Sequence, residues 1–167
     1  MVGKPVSREG TSKELVMTAD TETVCATLQR LSLICQAEEN GYRMAADQVR
    51  NLELAALFRR YAAQRAQFAA DLQGELRRVG GESEPSGRVT GLLWRGWANL
   101  KAVLSGGDES AIISACERSE DAARESYREA LQQPLPREIH ALLEQQYAAI
   151  QEAHERIRAL ELAATRS

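Results

Sequence analysis

The chain has 167 residues, a length typical of one domain that buries its own hydrophobic core. Aromatic residues make up only 5% of it, whereas Ala, Leu, Glu, Arg and Gln are abundant, so the composition favours helices over strands. The formal net charge is −3 and the two signs are interspersed, which gives no case for a nucleic-acid-binding surface.

The N-terminal residues and the cysteines predict a cytoplasmic protein. Residues 1–19 are polar and lack the apolar core of a signal peptide, so we expect a flexible leader there. No apolar run approaches the ~20 residues that span a bilayer, so no membrane association is expected. Cys25, Cys35 and Cys116 are widely spaced and form no CxxC pair, as expected of buried or half-buried thiols in a reducing compartment.

The first long helix is predicted from about Asp20 to Arg50. Asp20 or Thr21 can cap its first turn. Its apolar residues recur at spacings of three, four and seven, which places them on one stripe. That stripe is Val24, Leu28, Leu31, Cys35, Tyr42, Ala45 and Val49. Asn51 then marks a tight corner and can cap the helix that follows.

The second long helix is predicted from about Leu52 to Val79, where Gly80 and Gly81 end it. Its apolar stripe is Leu54, Leu57, Phe58, Tyr61, Phe68, Leu72, Leu76 and Val79. Residues 80–87 are polar and rich in Gly, Ser and Glu, a composition that predicts a loop.

A shorter helix is predicted from about Arg88 to Ser105. Its apolar side carries Leu93, Trp97, Leu100 and Leu104. Trp94 lies on nearly the opposite side from Trp97. Either Trp97 packs on the bundle while Trp94 stays half exposed, or the two tryptophans mark a dimer or partner contact, a kind of surface in which Trp is enriched.

The third long helix is predicted from about Glu109 to Gln132 and the fourth from about Arg137 to Ala163, with a Pro-Leu-Pro turn between them. Asp108 can cap the third helix. The third stripe is Ile112 or Ile113, Cys116, Ala123, Tyr127 and Leu131, and the fourth is Ile139, Leu142, Leu143, Ile150, Ala153, Ile157 and Leu160.

These helices predict one all-α bundle domain over residues 20–163, with residues 164–167 as a tail. Short connections make helices 1 and 2, and helices 3 and 4, antiparallel hairpins. About 28 residues separate the second long helix from the third, which is enough to cross the bundle from one end to the other. We therefore predict a ferritin-like antiparallel four-helix bundle with a short extra helix in the crossover. An up-down-up-down bundle with a decorated loop is the alternative.

Each of the four long stripes is interrupted once by a polar residue. The helical spacing predicts apolar residues at these positions, but the sequence has Glu38, Arg65, Glu120 and Gln146. The first three fall near the middle of their helices, and Gln146 lies about one turn from the middle of its own. Because the midpoints of matched antiparallel helices meet, we expect the four side chains to contact one another in the centre of the bundle.

This buried polar layer has three interpretations. Arg65 bound by two carboxylates, with an amide completing the hydrogen bonds, can fix helix register at some cost in stability relative to an apolar core. The layer can instead be a metal or ligand site. In the third interpretation, one or more of the residues reaches out to solvent and the layer is not a unit.

Metal binding, with Fe, Mn or Zn, would need ligands from the helices around this layer. The candidate ligands are Glu39, Glu117, Glu120 and His154. The motif at His154 departs from the Glu-x-x-His of di-metal bundles, because Gln stands in place of Glu, and the second helix lacks the motif. His154 also lies at the edge of its stripe, where a surface or boundary position is expected. Arg65 does not deprotonate, so we expect it to replace a metal cation, with no cofactor and no ferroxidase chemistry.

A run of motifs also resembles a known family. It comprises GYRMAAD in the first helix, QRAQFAADLQGELRRVGGE, the Gly-bounded LLWRGWANLKAVLSGGD, ACERSEDAARESYREAL, and EQQYAAIQEAHERIRAL in the fourth helix. From about residue 26 to residue 160 the chain resembles an uncharacterised family of bacterial four-helix-bundle proteins, described as a domain of unknown function in the ferritin-like superfamily. The resemblance implies a ferritin-like bundle with a broken third helix and carries over no established activity.

The function predicted from these features is that of a non-catalytic helical-bundle protein. It would act through oligomerisation, as a homodimer, or through a protein partner. Neither histidine is placed by spacing beside a Ser or Cys, so nucleophilic catalysis has no support. The alternative is a ferritin-like metal-binding protein that uses the carboxylates of the first and third long helices and His154.

Overall fold

The structure, a computed structural model, describes residues 9–82, 101–103, 106 and 108–166, with side chains from residue 20 onward. This described part contains four long helices and no strand, so the prediction of an all-α fold is confirmed. The helices are α1 (Glu9–Gln48), α2 (Leu52–Arg78), α3 (Glu109–Leu131) and α4 (Arg137–Thr165). Residues 101–103 are also helical.

The predicted stop and start signals lie at the observed ends of α2 and α3. The Asn51 side chain accepts hydrogen bonds from the backbone N–H groups of Glu53 (2.9 Å) and Leu54 (3.1 Å) and so caps α2. Asp108 accepts one from the backbone N–H of Ser110 (3.0 Å) and caps α3. At the other end of α2, Gly80 adopts a positive φ of 84°, a conformation that glycine reaches without steric cost.

The first helix begins earlier than predicted. It starts at Glu9 rather than Asp20, so Asp20 and Thr21 lie inside α1 and do not cap its first turn. The segment reads as a leader because it is polar, but after Pro5 it contains no further proline and mainly residues that helices accept. At the other end of the chain, α4 continues past the predicted end at Ala163 to Thr165.

The four helices pack with each neighbour antiparallel. An ion pair joins Arg30 to Glu129, and further along α1 a hydrogen bond joins Tyr42 to Glu120, so residue numbers increase along α1 as they decrease along α3. The two helices are therefore antiparallel. In the same way, α2 and α4 are antiparallel, because Phe68 lies beside Gln146 whereas the end of α2 lies beside the start of α4. Consequently α2 and α3 run in the same direction, and the end of α2 and the start of α3 lie at opposite ends of the bundle.

The hydrophobic core consists of two apolar clusters. The first core cluster is Val24, Leu28, Leu31, Cys35, Ala69, Leu72, Leu76, Ala123, Tyr127, Ala130, Ile139, Leu143 and Ile150. The second core cluster, toward the corner between α1 and α2, is Tyr42, Ala45, Ala46, Leu54, Phe58, Tyr61, Ala62, Ile112, Ile113, Cys116, Ala153 and Ile157. Along the helices, Glu38, Arg65 and Glu120 fall between the two clusters, so charged residues interrupt an otherwise continuous apolar core.

Most of the predicted crossover lies outside the residues that the structure describes. Trp94, Trp97 and most of the helix predicted from Arg88 to Ser105 lie outside the described residues. Among the helices that the structure does describe, none has the length and apolar character that crossing a membrane would require.

Candidate functional site

The centre of the bundle holds three charged side chains from three helices. They are Glu38 on α1, Arg65 on α2 and Glu120 on α3, and the solvent-exposed fractions of these residues are 4%, 0% and 0%. Each replaces an apolar residue in the stripe of its helix. The antiparallel packing brings Glu38, ten residues before the end of α1, level with Arg65 and Glu120 at the middles of α2 and α3. We call these three residues the Arg65 layer.

Arg65 is the centre of this layer and donates hydrogen bonds in three directions. Its Nε donates to Glu38 Oε2 (2.7 Å), its Nη2 to Glu120 Oε1 (2.5 Å) and its Nη1 to Gln64 Oε1 (2.5 Å). The guanidinium also lies 5.6 Å from the ring centroid of Phe68, within the range of a cation–π contact. The Arg65 side chain therefore links α1, α2 and α3 through charge-assisted hydrogen bonds.

The layer contains two carboxyl groups but only one guanidinium. Glu38 Oε1 and Glu120 Oε2 are buried and have no hydrogen-bond partner among the described residues, although the Tyr42 hydroxyl donates to the other oxygen of Glu120. Burial raises the pKa of Glu38 to about 8, against the opposing effect of the Arg65 charge. Burial also raises the pKa of Glu120. The layer is therefore expected to retain a proton at neutral pH, which balances its charge.

Arg65 itself stays charged in this environment. Burial on its own favours the neutral guanidine, but the carboxylates of Glu38 and Glu120 outweigh it and raise the pKa of Arg65 above its usual value. A permanent cation thus occupies the centre of the layer, between carboxyl groups from two other helices.

Gln146 is buried close to the layer but has different partners. Its Oε1 accepts a hydrogen bond from the Tyr127 hydroxyl (2.8 Å), and its Nε2 donates to the backbone carbonyl of Phe68 (3.4 Å). The Tyr127 hydroxyl also contacts Cys35 Sγ (3.2 Å), and burial raises the pKa of that thiol to about 12. The sequence predicts that Gln146 contacts the three residues of the Arg65 layer. In the structure only those three are joined by hydrogen bonds, and Gln146 instead takes part in a neutral hydrogen-bond network next to the layer.

His154 belongs to a second polar cluster, between α3 and α4. Only 3% of its side chain is exposed, so the expectation of a surface or boundary position is wrong. Its Nε2 lies 3.0 Å from Glu117 Oε1 and 3.7 Å from Asp121 Oδ1. Its Nδ1 lies 3.3 Å from Nη1 of Arg124, whose Nη2 donates to Asp121 (2.7 Å). We call these residues the His154 cluster.

The partners of His154 assign the tautomer of its ring. Arginine can only donate hydrogen bonds, so Nδ1 must accept from Arg124, and Nε2 carries the proton that it donates to Glu117. A metal ion on Nε2 of a neutral imidazole would move the ring proton to Nδ1, where it would face the N–H donor of Arg124. Metal binding at His154 therefore requires Arg124 to move.

The four candidate metal ligands do not converge in the structure. Glu39 pairs with Arg43 on its own helix (2.6 Å), and Glu120 is bound by Arg65. Only Glu117 and His154 contact each other. In the part of the chain whose side chains are described, no group of three or more His, Cys, Asp or Glu is placed to hold a metal ion.

Comparison with known proteins assigns the chain to a family. Residues 23–133, about two thirds of the chain, match the family described as Domain of unknown function (DUF2383). The chain belongs to the DUF2383 family. All three residues of the Arg65 layer lie inside the part that matches DUF2383, whereas Gln146 and His154 lie beyond it. No curated protein matches the chain.

Sequence reasoning on this DUF2383 chain missed the tyrosine that binds the layer. Tyr42 lies four residues after Glu38 on the same stripe, so its phenol projects from the helical turn next to the layer. Its burial and its contact with Glu120 show that it serves as an apolar core residue and as a hydrogen-bond donor. A phenol one turn from a buried carboxylate is the signal that could have identified it.

Proposed function

We propose that this chain is a non-catalytic, ferritin-like helical bundle in which the Arg65 layer fixes the register of α1, α2 and α3. Such a protein would act through oligomerisation or a protein partner. One observation carries the proposal: the Arg65 guanidinium is hydrogen-bonded to carboxylates from two other helices in the centre of the bundle, where ferritin-like metal proteins hold their cations.

The helix directions support the ferritin-like part of the proposal. Because α2 and α3 run the same way, the chain between them must lead from one end of the bundle to the other. Two antiparallel hairpins joined by one long crossover is the connectivity of ferritin-like folds, whereas an up-down-up-down bundle would place α2 and α3 antiparallel.

Register is the property that the layer is suited to determine. Sliding one helix by a turn, about 5.4 Å, would still match apolar residues with apolar residues in the two core clusters. The same shift would separate Arg65 from Glu38 or Glu120 and leave buried charges unpaired, which costs about 3–5 kcal/mol. Only one alignment satisfies all three groups, so the layer excludes shifted packings that the apolar stripes alone would tolerate.

The register proposal is tested by replacing the whole layer with apolar residues. The triple variant Glu38→Leu, Arg65→Met, Glu120→Leu should unfold at the same or a higher urea concentration, because apolar packing replaces a buried ion network. It should nevertheless show poorly dispersed NMR spectra and bind the dye ANS, as expected of a bundle with several packings. Gln146→Leu, which removes a neutral buried polar group, is the control and should keep dispersed spectra. A triple variant with wild-type dispersion would refute the proposal.

Metal analysis tests this proposal against the alternative of a ferritin-like metal-binding protein. Protein purified without an affinity tag should contain no stoichiometric Fe, Mn or Zn, and none should bind when each is added, because Arg65 and the retained proton already neutralise the two carboxyl groups. Stoichiometric metal that is lost in Glu120→Gln would instead support a metal-binding protein.

A further inference from the structure

An open cleft lies at the end of the bundle where α2 and α3 begin and α4 ends. Its volume is about 740 Å³. Its apolar lining consists of Leu54, Ala56, Leu57, Ile113, Leu160 and Ala164. The cleft is separate from the Arg65 layer, because none of the three layer residues lines it.

Charged residues of opposite sign lie at two levels of this cleft. Glu53 and Glu109 are in the first turns of α2 and α3, at the extreme end of the bundle. Arg60 and Arg156 line the cleft further along. Glu53 and Arg60 are seven residues apart on one helix, about 10 Å along its axis. Within the described part of the chain, neither arginine has a salt-bridge partner, so both charges are open to a partner molecule.

The same end of the bundle exposes two large apolar side chains. Leu52 is 84% exposed and Leu162 is 52% exposed, and both are next to or near residues that line the cleft. Large apolar side chains beside an apolar cleft are typical of a protein–protein interaction site.

We propose that a second copy of this chain docks at this end of the bundle about a two-fold axis. Leu52 of each copy would enter the cleft of the other, and the acidic level of each cleft would face the basic level of its partner. The inference deepens the proposed function, because it names the surface and the partner of the oligomerisation proposed there.

The arrangement of charge favours a second copy over other partners. In a two-fold interface each contact occurs twice, so the surface must be complementary to itself. Two acids and two arginines at separate levels meet this condition when the copies are antiparallel, since Glu53 and Glu109 then face Arg60 and Arg156. A nucleic acid would need a uniformly basic surface, and the acidic level of the cleft would repel it.

The first experiment measures the oligomeric state of the full chain by sedimentation velocity over a concentration series. The wild type should show a monomer–dimer equilibrium that salt weakens. Leu52→Glu and Arg156→Glu should each raise the dimer dissociation constant about tenfold or more. The matched control is Arg158→Glu, an exposed position on the same helix that does not line the cleft, and it should leave the constant unchanged. The proposal would be overturned by a monomeric wild type, or by an equal change of the dissociation constant in Arg156→Glu and Arg158→Glu.

A charge-swap experiment keeps the test decisive if a single variant folds poorly. One double variant carries Arg60→Glu and Arg156→Glu, and the other carries Glu53→Lys and Glu109→Lys. Each should be monomeric alone, because like charges then face each other at both contacts. An equimolar mixture should form a heterodimer, because opposite charges again face each other at both contacts. A mixture that stays monomeric, or double variants that dimerise alone, would overturn the proposal.

Failure of this interface and failure of the proposed function can be distinguished. A monomeric wild type with dispersed NMR spectra would remove the dimer but leave the register role of the Arg65 layer intact. Loss of the register role would appear only in the triple layer variant, whose substitutions are in the core and not in the cleft.

Discussion

The Arg65 layer and the His154 cluster are both polar groups inside one bundle, but they are enclosed to different degrees. The layer joins three helices, and its ionic side chains are almost completely shielded from water. The His154 cluster joins only α3 and α4, and Asp121 and Arg124 within it are 58% and 37% exposed. Coulomb interactions are strong in the low-dielectric core and weak where water screens them. Removing one charge should therefore have a large effect in the layer and a small one in the cluster.

The largest expected effect is that of Arg65→Met. It should lower the free energy of unfolding by about 3–5 kcal/mol, because it strands the carboxyl groups of Glu38 and Glu120 in the core. Urea denaturation followed by circular dichroism measures the change. Arg124→Met removes the same group from the His154 cluster and should lower stability by about 1 kcal/mol or less. Comparable losses in the two variants would contradict the distinction between the two sites.

The same distinction explains which parts of the site the sequence could predict. A charged residue in an apolar stripe is a strong signal. Glu38 also lies level with Arg65 and Glu120 at the middles of α2 and α3, so the Arg65 layer could be anticipated from periodicity. Gln146 lies five residues before the middle of α4, and an offset of about 7.5 Å is enough to give it other partners. The register between hairpins depends on tertiary packing, which the pattern of a single helix does not contain.

His154 shows a different limit of sequence reasoning. Helical geometry places it roughly 70° from the centre of its stripe, which suggests a boundary position. In the structure, Glu117 and Arg124 of the neighbouring helix cover the ring and satisfy both of its nitrogens, so the ring can be buried. Burial here is decided by partners on another helix. The start of α1 at Glu9 differs from the prediction for a simpler reason. The polar composition of this segment predicts a leader, but with no proline after Pro5 the segment can form a helix.

The second expected effect is a pH dependence that belongs to the Arg65 layer. The pKa of Glu38 is raised from 4.5 to about 8 in the folded protein, mainly by burial. Between these two values the unfolded chain releases a proton that the folded chain retains, so the contribution of Glu38 to stability is full below pH 4.5 and is lost as the pH rises toward 8. One such proton changes the free energy of unfolding by up to about 1.4 kcal/mol per pH unit.

The test of this pH dependence compares the wild type with Glu38→Gln from pH 5 to pH 9. The Gln side chain can still accept a hydrogen bond from Arg65 but cannot ionise. The variant should therefore gain stability relative to the wild type as the pH rises. Parallel stability curves for the two proteins would show that Glu38 does not hold the proton.

The third expected effect distinguishes a hydrogen bond to a charged group from one to a neutral group. Tyr42 donates to the carboxylate of Glu120, whereas Tyr127 donates to the amide of Gln146. Tyr42→Phe should lower the free energy of unfolding by about 2 kcal/mol and Tyr127→Phe by about 1 kcal/mol, since hydrogen bonds to charged groups contribute more. Chemical denaturation of the two variants measures the difference, and a larger loss for Tyr127→Phe would reverse the order predicted here.

The smallest expected effect concerns the tautomer of His154. Because Arg124 donates to Nδ1, the proton should reside on Nε2, and the ¹⁵N chemical shifts of the imidazole should show an unprotonated Nδ1. Arg124→Met removes that donor and leaves Nδ1 free to take a proton, so the shifts should move toward a mixture of tautomers while stability falls by about 1 kcal/mol or less. Arg128→Met is the control, because Arg128 makes the same kind of ion pair on α3, with Glu125 (2.6 Å), and is 60% exposed, so its removal should leave the shifts of His154 nearly unchanged. Wild-type shifts with the proton on Nδ1 would show that Arg124 does not orient the ring, and metal binding through Nε2 would then face no obstacle from it.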